Sequence, residues 1–278
     1  MQIIDGKALA ESIIQKTAEK IKAKKLNLRL DAILVGENPA SRLYVKKKQE
    51  ACEKAGVKSV LHVLPEDSSQ AVVAEKISEL NENSEVTGIL LQLPLPKHLG
   101  SAEEELIELI APQKDIDGMT SASLGKLMFN SEGLVSCTPK GIMKLIESTG
   151  VDLEGKNAVI VNHSRVVGKP LGLLLLQKNA TVEFCHEFTK NLSEHTSKAD
   201  VLITAVGKSG LITAGHVKKG AVIIDAGISR LGEKTVGDVD FESVKEKASF
   251  ITPVPGGVGP MTVACLVENT LIAGLGAD

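Results

Sequence analysis

Tyr44 and Lys48 stand four residues apart in the segment Ser41-Arg-Leu-Tyr-Val-Lys-Lys-Lys48. On a helix that spacing puts both on one face, and the stripe runs on through Ala51 and Ala55, both small and apolar. Lys48 is therefore expected at the edge of a buried face, unlike Lys46 and Lys47. A lysine placed there can give or take a proton; a solvated lysine run is the alternative. Gln92 lies in Gly88-Ile-Leu-Leu-Gln-Leu-Pro-Leu-Pro96, and an amide inside an apolar strand is costly to bury unless paired. At a strand's carboxyl end it is a site candidate, with a structural role as the alternative. Lys114-Asp-Ile-Asp-Gly118 sets Asp115 and Asp117 two apart. No neighbouring His or Glu joins them, so a turn competes with a metal site.

Two loops could hold a ligand through their backbones. Asn162-His-Ser-Arg-Val-Val-Gly-Lys-Pro170 falls between a strand and a helix, where N–H groups can hold a pyrophosphate. Its only glycine is Gly168, so a plain strand-to-helix turn competes. Glu187 follows the next strand, about where an acidic residue reads a ribose 2′-hydroxyl. Pro253-Val-Pro-Gly-Gly-Val-Gly-Pro-Met-Thr262 opens the last helix. It lacks the Lys-Ser/Thr of a Walker loop, and its glycines permit close backbone approach to a flat ligand.

These segments need elements to position them, and helical and strand patterns alternate along the whole chain. Helices are predicted over 7–25, 40–56, 69–82, 102–110, 139–149, 167–178 and 261–273, with a further short one before residue 201. Strands are predicted over 32–35, 60–64, 88–93, 158–161, 181–185, 201–204 and 221–225 and near 250–251. Short apolar strands between helices indicate buried, mostly parallel sheets. The chain has 278 residues, enough for two domains at about 150 residues each. The boundary is placed near Asp117-Gly118, giving two α/β units sharing a cleft.

Composition narrows the function classes. Aromatic residues make up 2% of the chain, too few for a single-strand nucleic-acid platform. A net charge of −3 gives no basic footprint for duplexes. Cys52, Cys137, Cys185 and Cys265 are widely spaced, with no metal-ligand pattern, which suits reduced thiols and no metal. The start shows no signal-peptide pattern, and no apolar run approaches the ~20 residues of a membrane span. A soluble cytoplasmic protein is expected.

Together the segments closely resemble one family, the bifunctional methylenetetrahydrofolate dehydrogenase/cyclohydrolases of the FolD type. The resemblance spans essentially the whole chain. It rests on Y-V-x-x-K at Tyr44–Lys48, G-I-L-x-Q-L-P-L-P at Gly88–Pro96 and K-D-I-D-G at Lys114–Gly118. C-T-P-x-G at Cys137–Gly141 and P-V-P-G-G-V-G-P-M-T at Pro253–Thr262 complete it. It implies a folate-binding catalytic domain over 1–117, completed by the C-terminal helix 259–278, and a Rossmann-type dinucleotide domain over 118–258. It further implies a homodimer, no nucleic-acid or membrane partner, and a place in one-carbon metabolism and purine biosynthesis. The implied reactions are oxidation of 5,10-methylene-tetrahydrofolate to the methenyl form and hydrolysis of that form to 10-formyl-tetrahydrofolate.

By the family pattern Lys48 is the acid/base group, Gln92 holds it, Tyr44 packs on the folate rings and Asp117 accepts from the pterin. Pro255, Gly256 and Gly257 complete the implied substrate site. Asn162, His163, Ser164, Gly168, Glu187 and Ile228 form the implied cofactor site, for NADP. There the chain departs from the pattern: Asn162-His163-Ser164 stands where Gly-Arg-Ser is usual, and Glu187 where Ser is usual. Asn tolerates a positive φ, so the turn is expected to survive. A missing arginine and an added carboxylate weaken the grip on a 2′-phosphate and point toward NAD, with Arg165 and Lys190 as counterweights. Retained Lys48 and Gln92 disfavour a dehydrogenase without hydrolase activity, and the full residue set disfavours a non-catalytic binding protein.

Overall fold

The computed structural model describes residues 1–232 and 234–276. In chain order it holds β1 (Gln2–Ile3), α1 (Gly6–Lys24), β2 (Arg29–Val35), α2 (Pro39–Ala55), β3 (Lys58–Leu64), α3 (Gln70–Glu82) and β4 (Gly88–Leu91). Next come α4 (Glu103–Glu108), α5 (Ser121–Met128), α6 (Cys137–Ser148), β5 (Asn157–Val161), α7 (Gly168–Leu176), β6 (Thr181–Cys185), α8 (Leu192–Thr196) and β7 (Val201–Thr204). The last are β8 (Val222–Asp225), β9 (Ser229–Leu231), β10 (Lys234–Val236), α9 (Phe241–Val244), β11 (Phe250–Ile251) and α10 (Val258–Gly274). Two compact units result. One comprises Glu11–Cys137 and the chain from Val263 on; the other comprises Met1–Ala10 and Thr138–Thr262.

The first unit is built on a parallel sheet in the order β3-β2-β4. All four residues of β4, and all but the first of β2, are buried, as expected of strands covered on both faces. Ile21 of α1, Ala51, Cys52 and Ala55 of α2, and Val263, Leu266, Val267 and Leu271 of α10 share one core with Leu30, Ala32 and Leu90. Helix α2 starts where the sequence places a cap: the Asn38 side chain accepts from the Ala40 and Ser41 N–H groups, with Pro39 at the first turn. It stops at Gly56, whose φ of 78° suits a residue without a Cβ.

The second unit carries a six-stranded parallel sheet in the order β1-β11-β8-β7-β5-β6. From β5 onward this is a doubly wound order 2-1-3-4-5, and the order of winding across the sheet reverses between β5 and β7. Ligands in such sheets bind beyond the carboxyl ends of the strands at that switch point. Several elements escape the sequence pattern. β1 is two residues long and shows no periodicity; Gln2 and Ile4 donate to Ser249 and Ile251 carbonyls and fix it to β11. Helix α5, Ser-Ala-Ser-Leu-Gly-Lys-Leu-Met, is only eight residues long and contains a glycine. The β9–β10 ladder is three pairs long.

Candidate active site

Lys48 sits where the stripe argument puts it. It is buried on α2 with Val45, Ala51, Cys52 and Ala55, while Lys46 and Lys47 are exposed and Tyr44 is half-buried. Its Nζ donates to Gln92 Oε1 at 3.1 Å, and both residues are 8% exposed. Gln92 lies one residue past β4, which ends at Leu91 rather than at 93. Its backbone N–H still donates to the Ile33 carbonyl at 2.9 Å. Its Nε2 donates to the Leu93 carbonyl at 2.6 Å, which turns Oε1 toward the ammonium and fixes which amide end the lysine meets. Burial raises the Tyr44 phenol. It pushes the Cys52 thiol, one turn beyond Lys48, up to about 12 despite the lysine's charge. Both stay protonated at neutral pH, so Lys48 sits among neutral groups on this stripe.

The two aspartates of the Lys114–Gly118 turn have separate jobs. Asp115 is buried and accepts from Met119 N (3.1 Å), Thr120 N (2.8 Å) and Ser123 Oγ (2.7 Å). It fixes the start of α5. Lys114 Nζ caps the carboxyl end of α3 by donating to the Leu80, Asn81 and Asn83 carbonyls. Asp117 is half-buried, and its carboxylate has no hydrogen-bond or ion-pair partner among the described residues. A carboxylate held at a rigid turn and left unpaired is available to a ligand. Sequence reasoning missed its support. Asn269 is fully buried, and its Nδ2 donates to the Ile116 and Val135 carbonyls at 2.8 Å each.

In the second unit Asn162 organises the loop after β5. Its Oδ1 accepts from Ser164 N (2.8 Å), Ser164 Oγ (2.7 Å) and Gly168 N (3.0 Å), and its Nδ2 donates to the Ala205 carbonyl (2.6 Å). The amide therefore spans the β5/β7 switch point. Asn162 does not take a positive φ; its side chain, rather than its backbone freedom, replaces the expected glycine. A Cβ on Gly168 would lie 2.4 Å from the Asn162 carbonyl oxygen, so this glycine is required for the helix to approach the strand. The loop is thereby fixed beyond the carboxyl end of β5, where ligands bind in sheets of this order. His163 and Glu187 are exposed, and the His163 ring lies 4.8 Å from that of His186. Ile228 is exposed on the loop after β8.

The Pro253–Thr262 segment lies in the same unit. Gly256 has a φ of +109°, and a Cβ on Gly6 would come within 2.0 Å of the Gly257 carbonyl oxygen. The close backbone approach at Gly257 is thus made by the chain's own Gly6; Pro255 is exposed and Gly256 half-buried. Thr138 of the Cys137–Gly141 motif meets Thr262 through their hydroxyls at 3.0 Å. A Cβ on Gly141 would lie 2.9 Å from Met261 Cβ. These two motifs pack on each other.

Glu183, Cys185 and His195 bring donor atoms within 4.8 Å of one another. Cys185 is sealed in the core with its thiol pushed up to about 11 by burial, and Glu183 already engages His195. No metal is assigned there.

Residues 4–117 match the tetrahydrofolate dehydrogenase/cyclohydrolase catalytic domain, and residues 136–276 match the NAD(P)-binding domain of the same family. The chain belongs to the tetrahydrofolate dehydrogenase/cyclohydrolase family. It is 50% identical over 277 residues to the bifunctional protein FolD of a Nitratiruptor species, covering 98% of each chain. The crystal structure of the bifunctional FolD of Campylobacter jejuni superposes with a TM-score of 0.96 at 46% identity, covering 99% of each chain. A Trypanosoma brucei FolD solved with NADP and an inhibitor gives 0.94 at 31% identity, covering 98% of this chain and 97% of that one. Membership makes the chain an enzyme of one-carbon metabolism, a tetrahydrofolate dehydrogenase and cyclohydrolase with a folate-type catalytic domain and an NAD(P)-binding domain.

Also in the NAD(P)-binding domain, two buried carboxylates went unnoticed in the sequence. Asp225 closes β8 and accepts from Gly227 N (2.9 Å), Asp238 N (3.0 Å) and Val239 N (2.9 Å). Asp238 accepts from Thr204 Oγ1, Val206 N and Lys208 N, each at 2.7 Å. Burial pushes the Asp225 carboxyl up to about 6; its three N–H donors oppose this, and the Asp238 charge adds to it. An unfolded Asp titrates near 3.9, so between pH ~4 and ~6 the folded chain holds the extra proton. The contribution, on the order of 2–3 kcal/mol, is fully present below pH ~4 and lost as pH rises through about 6. Asp225→Asn should remove this component. Denaturant midpoints of wild type and variant should therefore diverge between pH 4 and 6, and a pH-independent difference would refute the assignment.

Proposed function

We propose that the chain oxidises 5,10-methylene-tetrahydrofolate with NADP and hydrolyses the methenyl product to 10-formyl-tetrahydrofolate. In this reading Lys48 moves the proton of the hydrolytic step. The observation that carries it is the buried Lys48–Gln92 pair. An ammonium held by a neutral amide oxygen rather than by a carboxylate remains free to exchange a proton with water or substrate. Gln92 holds Lys48 in place, Tyr44 lies against the folate rings, and Asp117 accepts from the donor-rich pterin edge.

A bound dinucleotide supplies the hydride acceptor. The chain's own task in that step is orientation, because the lone pairs of the folate nitrogens stabilise the cation left behind. Asn162, Ser164 and Gly168 would shape the loop that faces the pyrophosphate, while His163, Glu187 and Ile228 would contact the rest of the cofactor. We further propose a cytoplasmic homodimer feeding purine biosynthesis. No described helix is long and apolar enough to cross a membrane. β3 forms one edge of the first unit's sheet, a place where a second copy can dock.

Steady-state oxidation of methylene-tetrahydrofolate with NADP and with NAD, and hydrolysis of the methenyl form without either, test the reading directly. Absence of both turnovers would sink it. NADP should be accepted, with its advantage over NAD much reduced or reversed by His163 and Glu187. The double variant His163→Arg/Glu187→Ser should raise the NADP/NAD ratio of kcat/KM by at least about tenfold, which needs only ~1.4 kcal/mol. An unchanged ratio would show that these side chains do not read the 2′ position.

A further inference from the structure

Asp225 and Asp238 take no part in the chemistry described above, yet both are buried where the sheet meets its ligand loops. Interior carboxylates are costly unless fully hydrogen-bonded. Here the acceptors are spent almost entirely on loop amides. Asp238 takes the Val206 and Lys208 N–H groups, whose residues are exposed on the loop after β7, and anchors them to Thr204 at the end of that strand. Asp225 takes Gly227 N in the loop after β8, next to Ile228, and the Asp238 and Val239 amides that bring the second aspartate in.

Glycine makes the room. A Cβ on Gly227 would fall 2.2 Å from the Asp238 carboxylate, and one on Gly237 2.0 Å from Asp225 Oδ2. The loop so anchored presents the Ala205 carbonyl that receives Asn162 Nδ2. A continuous set of hydrogen bonds thus joins the loops after β5, β7 and β8 across the switch point. With their oxygens occupied by N–H and O–H donors, the two carboxylates are spent on holding backbone, and a cation would have to displace those donors.

We propose that Asp238 and Asp225 are positioning residues for the dinucleotide, a buried carboxylate brace that sets the three loops in the geometry the cofactor needs. The proposal rests on the dinucleotide reading above. It separates from a purely structural role because hydrolysis of the methenyl form uses no dinucleotide and draws on Lys48 and Gln92 in the other unit.

The test titrates NADPH by fluorescence and assays both activities in wild type, Asp238→Asn and Thr204→Val. Asp238→Asn turns an amide N–H toward donors and should weaken NADPH binding at least about tenfold, or ~1.4 kcal/mol, and lower dehydrogenase kcat. Cyclohydrolase activity should stay within about twofold. Thr204→Val removes one bond to Asp238 at constant shape and should move NADPH affinity in the same direction by a smaller factor. If Asp238→Asn does not fold, Thr204→Val decides. Unchanged NADPH affinity in a folded variant overturns the proposal, as does an equal loss of both activities. Failure of wild type to bind NADPH would instead overturn the functional reading on which it rests.

Discussion

Replacing Lys48 with Met should abolish hydrolysis of methenyl-tetrahydrofolate. A positioned proton-transfer group contributes about 10²–10⁴-fold, and Met keeps the length and apolar stem of lysine while removing the ammonium. Gln92 Oε1 would then lose its lysine donor, a cost of roughly 1–3 kcal/mol for a buried acceptor, so thermal unfolding must be measured alongside activity. Loss of hydrolysis in a variant still folded at the assay temperature is the expected result. Cyclohydrolase activity near the wild-type level would remove Lys48 from the mechanism. The dehydrogenase is expected to fall less, because hydride transfer depends on orientation rather than on a base.

The position of Lys48 was legible because helix periodicity is a strong local signal. Tyr44, Lys48, Ala51 and Ala55 share one stripe, and the structure buries Lys48 between Val45 and Cys52. The partner of Lys48 was less legible. The sequence marks Gln92 as an unusual polar residue near a strand end, but the contact crosses 44 residues of chain and depends on how α2 packs on β2 and β3. The same limit hides Asp225 and Asp238. They are 13 apart, one at the end of an apolar strand and one after a short hairpin, and each reads locally as a turn former. Only the approach of the two loops turns them into a brace.

Asn162 illustrates a substitution whose tolerance was foreseen for a different reason. The expectation was a backbone conformation that Asn adopts more easily than most residues. The structure instead uses the amide, which makes four hydrogen bonds to Ser164, Gly168 and Ala205. A single-residue propensity cannot show that, since it carries no information on the distance to Ala205. The two glycines at 256 and 257 show the same limit. Their spacing suggests room for a ligand, whereas the room at Gly257 faces the chain's own Pro253 and Thr252.

Asp117→Ala should weaken folate binding far more than dinucleotide binding. The turn around Asp117 is rigid for reasons that do not involve its carboxylate. Asp115 is tied to the start of α5, Asn269 holds the Ile116 carbonyl, and Gly118 has a φ of +65° where a Cβ would meet Ser136 N at 2.5 Å. Asp117 itself has no partner to lose among the described residues, so the variant should fold with an unchanged melting temperature. Asp115→Ala, by contrast, removes the buried acceptor of three donors and should be destabilised. A hydrogen bond to a charged group contributes about 1.5–3 kcal/mol, which corresponds to a loss of roughly 10- to 100-fold in folate affinity. Separate titrations of tetrahydrofolate and NADPH check this. An equal loss for both ligands, or a melting temperature that falls as for Asp115→Ala, would show that Asp117 serves the turn rather than the pterin.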